Sequence, residues 1–258
     1  MNNNLRIIKF IIIDIIKNKW LTTYTLFLLI LTSVIILFSN DSNKAIISLT
    51  NVVLILIPLI TVTFTSMHYY NSKEFIQMLL TQPIERKSVF IAEFSSLSIS
   101  LTMAFLIGVI LPLIFNGFSI LILYMIISGT MLSLIFCAFS ILISISFDEK
   151  IKGVGVSIFL WLFFSVIYDG IVLYIYFAFN SYPLENIVLF LTALNPVDIS
   201  RILILLKLEI SSLMGYTGAN LQNILGNKTG LLLSLSVLVI WALTPFIIAL
   251  KKFNKKNF

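Results

Sequence analysis

Charge is what this chain has least of. Asp, Glu, Lys and Arg make up 11% of its 258 residues, where an ordinary soluble domain carries about 25%. Apolar side chains make up 59%, and the mean hydropathy is +1.08. Too few polar groups remain to cover a soluble globule. With 10 Gly and 6 Pro, collagen and low-complexity disorder are excluded as well. One cysteine permits no internal disulfide and says nothing about redox compartment. With one His beside that Cys, metalloprotease and thiol-redox sequence signatures lack their essential groups. Met67-His68 has copper-ligand chemistry, but such a pair at the end of an apolar run also reads as interfacial packing. Gly226-Asn227-Lys228-Thr229 departs from a phosphate loop: Asn227 separates the Gly from the Lys, and Leu221 stands where an upstream Gly is needed. The chain therefore carries no nucleotide site or catalytic constellation of its own, and no cofactor is expected on it.

What is present is long apolar runs. A helix needs about 20 apolar residues to cross the hydrocarbon core, and six stretches qualify: 21–38, 45–67, 94–115, 118–147, 154–179 and 231–250. The composition and spans predict an all-α integral membrane protein, a single transmembrane domain over 1–258. The first stretch follows a 20-residue prelude and has no A-x-A cleavage site, so it reads as a span and not a signal peptide. Thirteen of the 17 Lys and Arg fall in the N-terminal segment, 70–93, 148–153 and the C-terminal tail; Lys44, Arg201, Lys207 and Lys228 fall on the other side. By the positive-inside rule both termini are cytoplasmic, in a cytoplasmic (inner) membrane, and 180–230 is extracytoplasmic. The net charge of +6 serves this topology, and nucleic acid is not implied.

Three segments are not spans. Residues 1–20 read as an interfacial helix, with Arg6, Lys9 and Lys17 on one face toward anionic lipid and isoleucines over much of the rest. Residues 70–93 form a charged loop broken at Gln82-Pro83. There Ile84–Phe90 reads as a short amphipathic helix that either docks in a partner's groove or is a solvated turn enforcing topology. In 180–230, Asn195-Pro196-Val197-Asp198 is a helix-start signal with Asp198 as the expected N-cap and Gly215 as a stop. That helix is expected to lie on or dip into the outer leaflet, the alternative being a seventh crossing. Asp169, beside Tyr168 in the fifth span, is a costly acid with no basic residue in any span to pair with it. It is either a pathway residue or a polar helix contact. Glu93 is expected to be solvated at the membrane edge.

Six spans, two cytoplasmic ends, an interfacial leading helix and the stretch Leu79-Leu80-Thr81-Gln82-Pro83-Ile84-Glu85-Arg86-Lys87-Ser88 resemble the permeases of type-2 ABC exporters. The resemblance implies a coupling helix at Pro83, Ile84, Glu85, Arg86, Lys87 and Ser88 docking on a cytoplasmic ABC ATPase that holds ATP and Mg. Further on, Leu194-Asn195-Pro196-Val197-Asp198-Ile199-Ser200-Arg201 with Met214-Gly215-Tyr216-Thr217-Gly218-Ala219 is similar to the NosY-type permeases, which serve copper-site maturation of nitrous-oxide reductase. That resemblance implies a homodimer, a NosF-like ATPase, and a NosD-like periplasmic β-helix protein bound near Asn195, Pro196, Asp198, Arg201, Gly215 and Tyr216. It also implies export of a sulfur or copper-related species. Alternatives are a type-2 permease for a lipid, peptide or antibiotic, and an ion-coupled transporter or scaffold centred on Asp169.

Overall fold

The computed structural model describes residues 3–39, 42–115, 120–179, 185–205 and 215–256. The described residues form ten helices and no strand. In chain order they are α1 (Asn3–Lys17), α2 (Lys19–Phe38), α3 (Ser42–Asn71), α4 (Lys73–Leu80), α5 (Arg86–Phe115), α6 (Ile120–Ser146), α7 (Lys150–Ala178), α8 (Glu185–Ala193), α9 (Pro196–Leu205) and α10 (Gly215–Lys255). Six of them contain a stretch long and apolar enough to cross a membrane: α2, α3, α5, α6, α7 and α10. This is an all-α integral membrane architecture, and each of the six coincides with one of the expected spans.

The core sits among α3, α5 and α6, where Leu49, Ile57, Leu97, Phe105 and Cys137 are fully buried. α5, α3 and α6 have 56% of their spanning windows buried, against 22% for α2 and 17% for α7 and α10. The outer helices thus leave apolar faces such as Leu173, Phe177, Leu233 and Ile240 uncovered by this chain.

Two spans carry a π turn. In α5 it covers Leu106–Ile110 and in α7 Phe163–Ile167. Pro112 has no N–H for the carbonyl one α-turn back, and its ring needs room there. The wider turn before it supplies that room, and Leu111 N–H reaches back to Leu106 O. At the same level α2 crosses so closely that a Cβ on Gly108 would stand 2.6 Å from Leu28 Cβ; only glycine fits. Pro58 stands inside α3 and leaves the Leu54 carbonyl without its α-helical donor. The indole N–H of Trp161, from α7, donates to the nearby Ile55 carbonyl at 3.0 Å.

α1 lies along the start of α5, with Ile11 and Ile15 buried and Ser96 donating to Ile8 O. Phe10 stacks on Phe75 of α4. The first helix, the loop after α3, the α6–α7 turn and the end of α10 therefore meet at one end of the bundle, the basic end. The helical pair α8–α9 belongs to the opposite end.

The sequence expectations need four corrections. The separate short helix of the 70–93 loop is α4, upstream of Pro83; Ile84 is not helical and Arg86 already begins α5. Glu93 is not solvated but 3% exposed, because α3 supplies His68, whose Nδ1 lies 3.1 Å from Glu93 Oε1. Asp198 does not cap α9: Asn195 does, its Oδ1 accepting from Val197 N–H at 3.0 Å. Gly215 opens α10 and does not end a helix. The expected helix to residue 214 is described as far as Leu205, and 206–214 lie outside the described residues.

Candidate functional site

The residues singled out in sequence gather at the two ends of the bundle. At the hairpin end, α8 and α9 fold back into the bundle. Val197, Ile199 and Leu203 join one apolar cluster with Leu132, Ile135, Phe136 and Leu238, residues from the middle of α6 and α10. Chain that turns round at membrane depth has no water to satisfy its backbone, so protein groups must do it. They do. The π turn of α7 draws Tyr168 N–H to Phe163 O, which takes from Phe164 O its ordinary α-helical donor. Asn195 Nδ2 donates to that carbonyl at 2.9 Å. The last carbonyls of α8 are met by Tyr168 Oη, donating to Leu191 O at 2.6 Å, and by Trp241 Nε1, donating to Ala193 O at 3.1 Å. Phe164 is midway along α7, so the tip of the re-entrant hairpin at Asn195 reaches the middle of that span.

Asp169 does find a basic partner, though not within a span. Arg201 of α9 places Nη1 3.2 Å from Asp169 Oδ2 and 3.2 Å from Asp198 Oδ1. Asn195 Nδ2 also donates to Asp198 Oδ2 at 2.9 Å. Tyr168, Asp169, Asn195, Asp198 and Arg201 thus form one polar cluster joining span five to the hairpin. Asn195 is fully buried and Asp198 nearly so, while Arg201 is half-buried. Pro196 begins α9. Gly215 begins α10, followed by Tyr216.

At the basic end, α4 buries Ile76 and Leu79 and turns Glu74 and Met78 outward. Thr81, Gln82, Pro83, Glu85 and Lys87 continue that exposed surface; Ile84 and Ser88 are partly covered. Arg86 behaves differently: its guanidinium donates to Asn254 O at 3.3 Å and Lys256 O at 2.8 Å. The α6–α7 turn joins the same surface through Asp148, 2.9 Å from Lys256 Nζ and 3.5 Å from Lys73 Nζ. The hydrogen bond from Lys256, and then the charges of Lys256 and Lys73, hold the Asp148 carboxyl below its usual range.

Between α2 and α3, toward the basic end, lies a cavity of about 470 Å³ with Trp20, Tyr24, Phe27, Phe64 and Met67 among its walls and His68 at its margin. Sequence reasoning missed this cavity and the His68–Glu93 pair. His68 and Glu93 lie 25 positions apart with no local pattern to link them. Among the described residues no group of three or more His, Cys, Asp or Glu side chains is placed to hold a metal ion.

A bundle of apolar spans with an outward-facing short helix at one end and a re-entrant hairpin at the other defines a multi-pass membrane protein. The family model for the ABC-2 family transporter protein matches residues 73–258, and the chain belongs to that family. It is an ABC transporter permease, a component generally non-catalytic in itself and paired in general with an ABC ATPase. No curated protein matches the chain.

Proposed function

We propose that this permease works as a homodimer in an ATP-driven exporter, with the basic end in the cytoplasm of an inner-membrane cell and α4 with the Thr81–Ser88 turn seated on the ATPase. The supporting observation is the shape of that loop. An eight-residue helix has its apolar side fixed to the bundle by Ile76 and Leu79, with Glu74, Met78 and the 81–83 turn facing out. ATP and Mg are held by the partner, and the uncovered faces of α2, α7 and α10 are where a second copy would pack. Reversing charge at Arg86→Glu with Lys87→Glu is expected to abolish co-purification with the ATPase. Full retention of the ATPase would refute the docking role of these residues.

The cargo reading is a sulfur or copper-related species for nitrous-oxide reductase maturation. It is supported by the similarity of 194–219 to NosY-type permeases, which also motivates a NosD-like β-helix partner at the hairpin end. A pull-down of the tagged chain in a denitrifying cell tests this: recovery of both an ATPase and a β-helix protein is expected. The apolar cavity between α2 and α3 favours a second reading, export of a lipid or other amphipathic molecule. In that case the ATPase is recovered without the β-helix protein, and Thr63→Trp, which fills the cavity, stops transport.

A further inference from the structure

The basic end holds a connection that docking alone does not explain. Helices α6 and α10 both stop there, and each leaves its last carbonyls without intrahelical donors. Those carbonyls are claimed by other helices. Arg86, the first residue of α5, donates to Asn254 O and Lys256 O. Lys256 Nζ donates to Ile145 O at 2.7 Å, and Lys252 Nζ to Ser146 Oγ at 2.8 Å. Tyr70 Oη, from the end of α3, donates to Phe147 O at 2.8 Å. Cations also suit the negative ends of the helix dipoles. Asp148 completes the circuit, taking Lys256 from α10's end and Lys73 from α4.

Beneath the polar layer lies a stiff apolar one. Phe253 is 1% exposed, and its ring centroid is 5.4 Å from that of Phe90. Phe90 and Phe94 both pack on Phe246, at 5.6 and 4.7 Å. The start of α5 and the end of α10 are therefore joined by rings below and by Arg86 above. Opposite, a Cβ on Gly153 would collide with the Tyr70 ring, so the first turn of α7 is glycine where Tyr70 passes.

We propose that Arg86 and Asp148 are positioning residues for energy transmission: they clasp α4, the start of α5 and the end of α10 into one body, so that force on the loop moves spans three and six together. This rests on the reading that the ATPase seats on α4. Individually, exposed ion pairs are weak. Here they set the register of a packed aromatic joint, and their loss frees the joint to slide.

The test uses the full chain in nanodiscs, with spin labels at Thr81→Cys and Lys255→Cys in a Cys137→Ala background. The expected distance distribution is narrow in the otherwise native chain. It broadens in Arg86→Ala and in Asp148→Ala, broadens most in Arg86→Ala/Asp148→Ala, and stays narrow in the control Lys251→Ala. With the ATPase bound, the unmodified clasp keeps its distance between nucleotide-free and ATP-bound states. Asp148→Ala, which lies outside the docking loop, keeps the ATPase bound and hydrolysing ATP but loses transport. An unchanged distribution in Arg86→Ala/Asp148→Ala, or native labels that separate on ATP binding, overturns the clasp. The measurement on the permease alone separates the two readings: an ATPase that never binds removes the docking proposal and leaves the distance result standing.

Discussion

At the basic end, the carbonyls that close α6 and α10 are met by lysine and arginine reaching in from neighbouring helices. At the hairpin end, the carbonyls of α7 and α8 are met by Asn195, Tyr168 and Trp241. The geometric task is the same, and the donors differ because the surroundings differ. Lys and Arg keep their charges where water can reach them. Near the middle of a span a bare charge is costly, so neutral amide, phenol and indole donors take over, and the one guanidinium present is held between two carboxylates. The basic end is thus a set of individually weak, screened contacts laid over aromatic packing. The hairpin end is a set of buried and part-buried bonds packed between helices at the depth of a span.

That contrast breaks most sharply at Asn195. Asn195→Ala removes a helix cap, costing about 1 kcal/mol, and strands the Phe164 carbonyl at a further cost of about 2 kcal/mol. A loss of about 3 kcal/mol in reversible unfolding from detergent micelles is expected; a loss no greater than a surface substitution would erase the distinction between the two ends. Trp241→Phe keeps the ring packing and deletes one donor, for about 1 kcal/mol by the same measurement. Next comes the response to solution conditions. Raising salt from about 0.1 M to 1 M shortens the screening length from about 10 Å to 3 Å. Amide exchange around 145–149 is expected to quicken with salt while that around 193–198 is unmoved; equal responses would place both ends in the same dielectric. Acid acts alike. Asp148 titrates below its ordinary 3.8, so its contribution is present above that value and is lost as pH falls through its lowered one, loosening the clasp. Smallest is Lys252→Ala, within about 0.5 kcal/mol, since its partner Ser146 is an exposed hydroxyl.

The spans were legible in the sequence because each is a local run of apolar residues, and span length is set by the membrane. The same local logic misplaced the short helix after α3. Ile84–Phe90 has an amphipathic pattern, but Pro83 lets α5 start at Arg86 and run on without a break, and the separate helix is the Lys73–Leu80 stretch. The motif around Asn195 was visible, and its role as a buried plug for Phe164 O was not. That role depends on a π turn, which has no residue code, 31 positions away. Asp169 was marked as an acid in search of a partner. Arg201 reads in sequence as a contact for a periplasmic partner, and its pairing with Asp169 is hidden because a residue in a loop is not expected to re-enter the bundle.

The π turn at Phe163–Ile167 acts as a counter. It holds one residue more than an α turn over the same rise, which rotates everything after it by about 100°. Deleting a single residue there, such as Val166, would restore a plain α-helix and leave the first part of span five in place. Tyr168 and Asp169 would stay opposite Leu191 and Arg201, because the deletion removes the extra residue together with its rotation and turns the Tyr168 N–H bond to Phe163 O into an ordinary α-helical one, while the Phe164 carbonyl would take back its own donor and release Asn195. One residue thus sets whether span five offers the hairpin tip a carbonyl to hold.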